Sequence, residues 1–258
     1  MQSRICCFFL LFLSWPGISA SESVELLLVG SLKTNKSLTV VAEVEGVVES
    51  WGFDRGEQTQ IDQSLLQIKD DDYRIQHDES KAAQAQARAD LSAKKARYER
   101  YRRLVDTHSL ARDELDSAEA DYLKSEAQLR LQALAVEQAH LNLERTRISA
   151  KAGYWVAERL IEQGDWVQKG QALYHLEQMD TLRAVVYVTE EELHRIRPDD
   201  HSVITTLSLP GESFAGTVLR AGIKPDASTH SYPVEILVEN PDRRLVAGFT
   251  IDARIVQE

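Results

Sequence analysis

The chain has 258 residues and a formal net charge of −11, with 30 Lys and Arg against 41 Asp and Glu. It has no basic patch with interleaved aromatic residues, which argues against a nucleic-acid partner. Only two Cys and two Met are present, and the seven His are scattered without the spacing of metal ligands. We therefore expect no metal site and no cofactor.

A secretory signal peptide is predicted over residues 1–20. Arg4 precedes an apolar run from Ile5 to Leu13, which is too short to span a bilayer, and small residues follow it. Both Cys6 and Cys7 lie inside this segment, too close to the start for a lipoprotein cleavage site. We expect an exported, unlipidated mature chain without disulfides. Whether the segment is cleaved or kept as an anchor stays open.

Short strands are predicted on both sides of the middle of the chain. An apolar stretch from Val24 to Val29 and a β-branched stretch from Leu38 to Val48 indicate strands near the start. Similar stretches follow residue 150: Gly153–Val156, Leu182–Val188, Ser202–Leu207, Phe214–Leu219, Tyr232–Val238 and Phe249–Val256.

Residues 70–147 are predicted to form an antiparallel α-helical hairpin. No Gly or Pro occurs between Gly56 and Gly153, and these are the residues that most strongly interrupt helices. The second half has apolar or small residues at heptad spacing, which indicates a coiled-coil seam: Leu115, Ala118, Tyr122, Ser125, Leu129, Val136, Ala139 and Leu143. The first half has a weaker seam among small residues: Leu91, Tyr98 and Val105 with Ala82, Ala83, Ala85, Ala87, Ala89, Ala93 and Ala96.

The turn of the hairpin is predicted between Asp106 and Leu110, where the sequence becomes polar. Ser109 is expected to be the N-cap of the second helix. Each arm then has roughly 34 residues, which at a rise of about 1.5 Å per residue gives a hairpin about 50 Å long. Such an element cannot be part of a compact core.

Two segments that flank the predicted hairpin repeat each other. Residues 56–68 align without a gap with residues 164–176, Leu65 on Leu173, and Asp62 stands where the second copy has Gly. Glycine beside an acidic residue permits a tight chain reversal. The predicted structural turn residues are Gly56, Gly164, Asp165 and Gly170.

The second copy contains Gly-Asp-x-Val-x-x-Gly-x-x-Leu, the signature of lipoyl and biotinyl carrier domains. With half of this motif on each side of a helical hairpin, the chain resembles the periplasmic adaptor family (membrane fusion proteins, HlyD/RND type) of bacterial tripartite efflux systems. The resemblance covers nearly all of the mature chain. Residues 214–218 and 247–251 match the small β-barrel of that family, and Thr189-x-x-Glu192 is a capping box.

The resemblance implies an elongated, modular α+β fold. The hairpin is inserted in a split lipoyl-like (barrel-sandwich hybrid) β-domain, which a β-barrel domain follows. The expected bounds are 40–69 and 148–179 for the split domain, 70–147 for the hairpin, 180–258 for the barrel, and 21–39 for an N-terminal strand that joins the barrel. The family's membrane-proximal domain is expected to be absent, because the chain stops ten residues past Gly248.

The implied function is that of a non-enzymatic adaptor in the periplasm. It would link an inner-membrane transporter, of RND type in the leading interpretation, to an outer-membrane channel (a TolC-type duct) for efflux of small molecules, and would self-associate as a trimer or hexamer. Two alternatives stay open: an adaptor of an ABC-type exporter or type I secretion system, and, more remotely, a lipoyl or biotinyl carrier subunit acylated on Lys69. The sequence shows none of the common catalytic motifs.

The family's hairpin tip carries Arg-x-x-x-Leu, followed seven residues later by Ser. The matching positions here are Arg100, Leu104 and Ala111, so the resemblance implies a partner-binding tip in which Arg100 donates hydrogen bonds and Leu104 packs against a partner. The alternative is that the tip arginines only form exposed ion pairs across the turn. Those pairs would join Arg100, Arg102 and Arg103 to Asp113, Glu114 and Asp116.

Overall fold

The computed structural model describes residues 25–61, 63–107, 109, 111–150 and 153–256. The predicted signal peptide, residues 1–20, lies outside the described residues. The described chain divides into two compact units. The first contains Ala184–Val238 with residues 25–32 and 248–256, and the second contains Lys33–Arg183 with Glu239–Ala247.

The regular elements are numbered in chain order. The strands are β1 Glu25–Thr34, β2 Ser37–Val41, β3 Gly46–Trp51, β4 Ser64–Ile68, β5 Arg147–Ser149, β6 Tyr154–Arg159, β7 Trp166–Val167, β8 Ala172–Gln178, β9 Thr181–Val188, β10 His201–Thr205, β11 Phe214–Ala221, β12 Tyr232–Glu239 and β13 Thr250–Val256. The helices are α1 Asp71–Asp106, α2 Arg112–Glu144 and α3 Glu190–Leu193. Among the described helices, none is both long and apolar enough to cross a membrane.

A closed barrel is formed by six strands in the order β1, β13, β10, β11, β12, β9. Its strands alternate between buried and exposed residues, as strands with one face on a core do; on β12 the buried residues are Val234, Ile236 and Val238. β1 pairs antiparallel with β13, from Glu25 opposite Val256 to Ser31 opposite Thr250. The capping box predicted at Thr189 and Glu192 is confirmed at the start of α3.

The second unit contains a small β-sandwich. One sheet has the order β2, β8, β6, and the other has the order β5, β4, β3, β7. Both copies of the internal repeat supply its core at equivalent positions: Leu65 and Leu173 are 1% and 0% exposed, and Ile68 and Leu176 are both 0% exposed. The two halves of the sandwich therefore share one core, although the whole hairpin lies between them in sequence.

The hairpin consists of α1, with 36 residues, and α2, with 33 residues. The seam predicted for α2 is confirmed: Ala118, Ser125 and Ala139 are buried, and the five larger seam residues are half-buried. On α1 the prediction is only partly right. Leu91, Tyr98 and Val105 are half-buried as expected, but most of the alanines are exposed and only Ala87 is buried. A run of alanines covers every side of a helix, so composition alone did not identify the buried face.

Residues 239–247 lie within the expected bounds of the barrel domain, and in the structure they group with the second compact unit. The reason is a set of hydrogen bonds that Asn240 makes while 1% exposed. Its Nδ2 donates to the carbonyls of Met179 (2.8 Å) and Leu245 (2.9 Å), and its Oδ1 accepts from the Leu245 N–H (3.0 Å). Arg243 adds an ion pair with Asp180 at 2.8 Å.

Candidate partner-binding tip

The three predicted tip residues lie at the same end of the hairpin. Arg100 and Leu104 are one helical turn apart in the last part of α1, so they share a face. Ala111 is the residue immediately before α2. All three are exposed, Leu104 by 37%. These side chains are therefore exposed to solvent at the end of the hairpin that is farthest from the sandwich.

The turn itself is built on the carbonyl group of Leu104. The Thr107 hydroxyl donates to this oxygen at 3.0 Å, and the Ser109 N–H donates to it at 2.9 Å. The Ser109 hydroxyl in turn donates to the Thr107 carbonyl at 3.3 Å. These bonds satisfy carbonyl groups that the end of an α-helix would otherwise leave without partners.

The expectation that Ser109 caps the second helix is wrong. The N-cap of α2 is Ala111, with φ −70° and ψ 147°, and no side chain accepts a hydrogen bond there. Ser109 instead bonds to the end of α1, and α2 begins at Arg112. Ala111, which aligns with the family's Ser, is thus the N-cap residue of α2. Its methyl side chain cannot accept the hydrogen bond that a serine hydroxyl would accept there.

The tip arginines do not pair with the tip carboxylates. Within the described residues, no ion pair joins Arg100, Arg102 or Arg103 to the acidic first turn of α2. The ion pairs between the arms lie nearer the sandwich, where Lys94 and Arg97 approach Asp121 at 3.8 and 3.9 Å. The alternative interpretation, that the arginines serve to pair across the turn, is not realised in the structure.

Aromatic side chains support the arms below the tip. The rings of Tyr98 and Tyr122 stack across the seam with centroids 5.6 Å apart and planes 5° apart. The guanidinium groups of Arg97 and Arg100 lie 5.1 and 6.0 Å from the ring centroid of Tyr101. A hydrogen bond to Tyr101 is the main reason that the pKa of Arg97 is raised. Arg100 thus lies beside the ring of Tyr101, and the N–H groups of its exposed guanidinium can still donate to a partner.

The base of the hairpin is tied to the sandwich. The Tyr73 hydroxyl, on α1, donates to the Glu45 carbonyl at 2.7 Å, and burial raises the pKa of Tyr73. At the other arm, Arg145 pairs with Glu43 at 2.8 Å. The two arms enter and leave the sandwich through adjacent strands, since β4 pairs antiparallel with β5. The hairpin is therefore an insertion between neighbouring strands.

The predicted turn glycines all have positive φ, at 85° for Gly56, 92° for Gly164 and 87° for Gly170. The Gly164 N–H donates to the Val48 carbonyl, and the Gly170 N–H donates to the Ala42 carbonyl. The Asp165 carboxylate accepts from the Glu162 N–H at 2.8 Å. These turns thus join the second half of the sandwich to the backbone of the first half.

Lys69 does not occupy the position of an acylated carrier lysine. It follows β4 at the base of the hairpin, and its Nζ lies 3.4 Å from Asp71. A carrier lysine stands in a short turn between the two halves of the domain, and here that connection is the hairpin. In the described part of the chain, no three His, Cys, Asp or Glu side chains cluster so as to hold a metal ion.

Sequence reasoning missed a polar network inside the sandwich. Tyr174 is 0% exposed, and its hydroxyl donates to the carbonyls of Leu65 (3.1 Å) and Phe53 (3.3 Å). Burial raises the pKa of Tyr174 to about 12. Close by, the Arg159 guanidinium lies 4.1 Å from the Trp51 ring centroid. The signal was present in the repeat, where Tyr174 aligns with Leu66 of the first copy.

A lipoyl-like sandwich interrupted by a helical hairpin, in a chain that also carries a closed β-barrel, defines the architecture of the membrane fusion proteins. Two family models match the sequence accordingly. The model of the RND membrane fusion protein alpha-helical hairpin domain matches residues 76–146, and the model of the CusB-like beta-barrel domain matches residues 183–258. The chain belongs to the RND-type membrane fusion protein family.

Individual relatives agree with this assignment. The multidrug efflux pump subunit AcrA of Escherichia coli is 25% identical over 227 residues, which are 83% of this chain and 57% of AcrA. The multidrug resistance protein MdtA of Proteus mirabilis is 27% identical over 182 residues, 69% of this chain and 44% of MdtA. The chain thus spans about half the length of these relatives.

A solved structure shares the fold. The membrane fusion protein Spr0693 of Streptococcus pneumoniae R6 superposes with a TM-score of 0.73 at 15% sequence identity, covering 90% of this chain and 99% of that one.

Proposed function

We propose that this chain is a periplasmic adaptor that links an RND-type inner-membrane transporter to an outer-membrane exit duct for the efflux of small molecules. Membership of the membrane fusion protein family supports the proposal, as do the efflux and resistance functions named for AcrA and MdtA. The adaptor itself needs no catalytic chemistry, since its task is to hold two membrane proteins in register.

The observation that carries the proposal is the long hairpin with the exposed Arg100 and Leu104 near its tip. At about 1.5 Å per residue, the 33 residues of α2 extend about 50 Å, which exceeds the roughly 30 Å diameter of a small domain. Among the described residues, Arg100 forms no ion pair with the carboxylates of the tip, so its N–H groups can donate to a partner. The exposed apolar side chain of Leu104 lies one helical turn away. Exposed arginine donors suit the carbonyl groups at the helix ends of a partner protein.

An RND-type transporter is favoured over an ABC-type exporter. Both domain models point the same way, since the hairpin model is that of RND membrane fusion proteins and the barrel model is CusB-like. The carrier-subunit alternative has lost its support, because Lys69 lies at the hairpin base beside Asp71.

The proposal includes the location and the assembly of the protein. It places the mature chain in the periplasm, held at the inner membrane through the transporter after export by the predicted signal peptide. It also has the adaptor self-associate as a trimer or hexamer around the duct. Light scattering of the purified protein with and without the transporter measures the number of adaptor copies. A monomeric adaptor alone, together with a single adaptor copy in the transporter complex, would contradict this part of the proposal.

Site-specific photocrosslinking in the native host tests the partners. A photoreactive residue at Arg100 or Leu104 should give adducts with an outer-membrane channel protein, identified by mass spectrometry. The matched control is Arg88, an exposed arginine of the same helix about 18 Å nearer the sandwich, which should not give that adduct. Tip adducts that contain only inner-membrane or cytosolic proteins would contradict the proposal.

The transporter side is tested from the barrel. Leu207 and Ile223 are 91% and 93% exposed, so a photoreactive residue at either position perturbs no core. We expect adducts with an RND-type transporter from at least one of them. An ABC-type exporter in those adducts would retain the adaptor role and replace the proposed transporter class.

A further inference from the structure

A groove of about 340 Å³ lies in the second unit between one edge strand of each sheet of the sandwich. Residues 38–41 of β2 line one side of it, and residues 147–149 of β5 line the other. Each of these strands has a single neighbour in its sheet, β8 for β2 and β4 for β5. We name this feature the edge groove. The hairpin tip and the proposed adaptor role make no use of it.

The backbone of β2 has hydrogen-bonding groups on the side that no strand of its sheet covers. The Gln178 N–H donates to the Lys36 carbonyl, and the Ala42 N–H donates to the Gln171 carbonyl, so residues 36 and 42 bond on the β8 side. Backbone groups of successive residues in a strand point in alternate directions. The N–H and C=O of Thr39 therefore point away from β8, and this free edge of β2 is a template for another strand.

The backbone of β5 has the same property on the opposite side of the groove. The Ile68 N–H donates to the Thr146 carbonyl, and the Ala150 N–H donates to the Gln63 carbonyl. By the same alternation, the N–H and C=O groups of the first and last residues of β5 point away from β4. Both sides of the edge groove thus offer backbone donors and acceptors.

The interior of the edge groove is apolar. Leu65 and Leu176, which belong to the two facing sheets and are 1% and 0% exposed, lie at its floor. Leu38, Val40 and Ile148 are half-buried and also line it. Because successive side chains of a strand point to opposite faces, an extended chain in the groove would bury every second side chain and leave the others in solvent.

The charge of the lining favours an acidic partner. Arg145 and Glu43 both line the edge groove and neutralise each other in an ion pair of 2.8 Å. Arg147 is exposed and forms no ion pair among the described residues, so the lining has one uncompensated positive charge. A carboxylate on the solvent side of a bound chain would pair with the Arg147 guanidinium.

We propose that the edge groove binds an extended peptide segment of a partner protein, in which apolar and acidic residues alternate, by antiparallel pairing with β2. The apolar side chains enter the groove, and the acidic side chains face solvent beside Arg147. The docked part is three to five residues long, the lengths of β5 and β2. In strand addition of this kind, main-chain hydrogen bonds give affinity and the alternate side chains give specificity. The sandwich thereby has a protein partner of its own, in addition to the partners proposed for the adaptor.

Fluorescence anisotropy with the purified full chain tests this inference. The probe is the fluorescein-labelled peptide Glu-Val-Glu-Val-Glu-Val-Gly. One comparison peptide has Lys in place of every Glu, and another has the grouped order Glu-Glu-Glu-Val-Val-Val-Gly. We expect saturable binding of the probe with one peptide per chain, and binding of each comparison peptide that is about fivefold weaker or less. The absence of saturable binding, or equal binding of the alternating and grouped peptides, overturns the inference. No transporter or duct is present, so this outcome is independent of the proposed adaptor function.

Amide hydrogen exchange tests the backbone pairing. The N–H of Thr39 should become about fivefold more protected when the probe binds, whereas the N–H of Leu38, which faces β8, should not change. Thr39 is exposed, so the probe residue that exchanges hydrogen bonds with it also has a solvent-facing side chain and is a glutamate. N-methylation of the probe at its glutamates should therefore weaken binding about fivefold. Unchanged exchange at Thr39 in the presence of saturating probe overturns the inference.

Variants separate the edge groove from other surfaces. Arg147→Glu should weaken binding of the probe about fivefold and strengthen binding of the Lys peptide. Arg55→Glu is the control, since Arg55 is exposed in the same unit and does not line the groove.

A proline on β2 removes the free donor itself. Thr39→Pro deletes the outward N–H and leaves the bonds to β8, because proline is tolerated on an edge strand where its nitrogen faces solvent. It should weaken binding of the probe about fivefold. Thr39→Ala is the control, since it loses the same side-chain hydrogen bond to His175 (3.1 Å) and keeps the N–H. Circular dichroism and the melting temperature report that each variant is folded. Unchanged binding of the probe in both Arg147→Glu and Thr39→Pro would refute the assignment.

Discussion

The substitution Ala111→Ser should stabilise the start of α2. Ala111 has the extended backbone of an N-cap residue and no side chain that can accept a hydrogen bond. A serine hydroxyl there would accept from the backbone N–H of residue 113 or 114, a donor that the start of a helix leaves without a partner. Glu114 already stands at the third helical position, so the substitution would also create a capping box in which the Glu114 carboxylate can accept from the N–H of residue 111.

The expected magnitude follows from N-cap exchanges in other helices. Replacing a serine cap by alanine typically costs about 1 kcal/mol, so the reverse change should gain about this amount, a factor of roughly five in a local equilibrium constant. The tip is one end of a 33-residue helix, so the gain should appear as reduced local opening of the first turn more than as a change in global unfolding.

Amide hydrogen exchange measures this gain. Protection of the amides at residues 113 and 114 should rise about fivefold in Ala111→Ser, and export by the proposed system should be at least that of the parent. Ala120→Ser is the matched control, because Ala120 is exposed inside α2 and a serine there cannot cap. In a second control, Glu114→Ala in the Ala111→Ser background should remove part of the gain. An equal effect of Ala111→Ser and Ala120→Ser, or no change at residues 113 and 114, would refute the N-cap reasoning.

Four further predictions concern the tip, the turns and the sandwich. Arg100→Asp should lower export while the helical circular dichroism and the melting temperature stay near the parent's, because the side chain is exposed; normal export would remove Arg100 from the tip assignment, and Arg88→Asp is the control. Replacing residues 70–145 by a short Asn-Gly turn should leave a folded β-unit, because β4 and β5 are already antiparallel neighbours and a shorter connection costs little; loss of cooperative melting would count against a single split domain. Gly164→Ala should cost about 1 to 2 kcal/mol in urea unfolding, since φ is 92° and no atom blocks a Cβ, so that backbone strain alone acts; an unchanged midpoint would show that the turn tolerates a side chain. Finally, the pKa of Tyr174 is raised from 10.0 to about 12, so the folded state holds this proton more tightly than the unfolded state, and the resulting stability is present below about pH 10 and lost as the pH rises towards 12. Melting temperatures over this pH range should fall less steeply in Tyr174→Phe than in the parent, and parallel curves would contradict the assignment.

The tip shows where prediction from sequence succeeded and where it stopped. The end of α1 at Asp106 matches the predicted turn, because the change from heptad-patterned to polar residues is a local signal. The choice between Ser109 and Ala111 as N-cap is not local in the same sense. It depends on how many residues connect the two helices once the seam has fixed the register of one helix against the other. Here Ser109 bonds to the end of α1 and does not cap α2.

The sequence by itself determined the hairpin, the two half-motifs around it and the family to which the chain belongs. A long segment without Gly or Pro, with a heptad seam, has few alternatives to paired helices. The repeat fixed the turns, because the positive φ of Gly164 and Gly170 is a property of a few adjacent residues.

Only the tertiary structure decided features that depend on residues distant in sequence. The pairing of β1 with β13 joins the two ends of the described chain. Asn240 brings residues 239–247 to Met179 and Asp180 and so removes them from the unit that contains their sequence neighbours. The same segment places the Arg243 guanidinium 5.7 Å from the ring centroid of Trp155. Local propensity carries no information about such contacts, since their free energy comes from buried surface and hydrogen bonds that form only when the whole chain has folded.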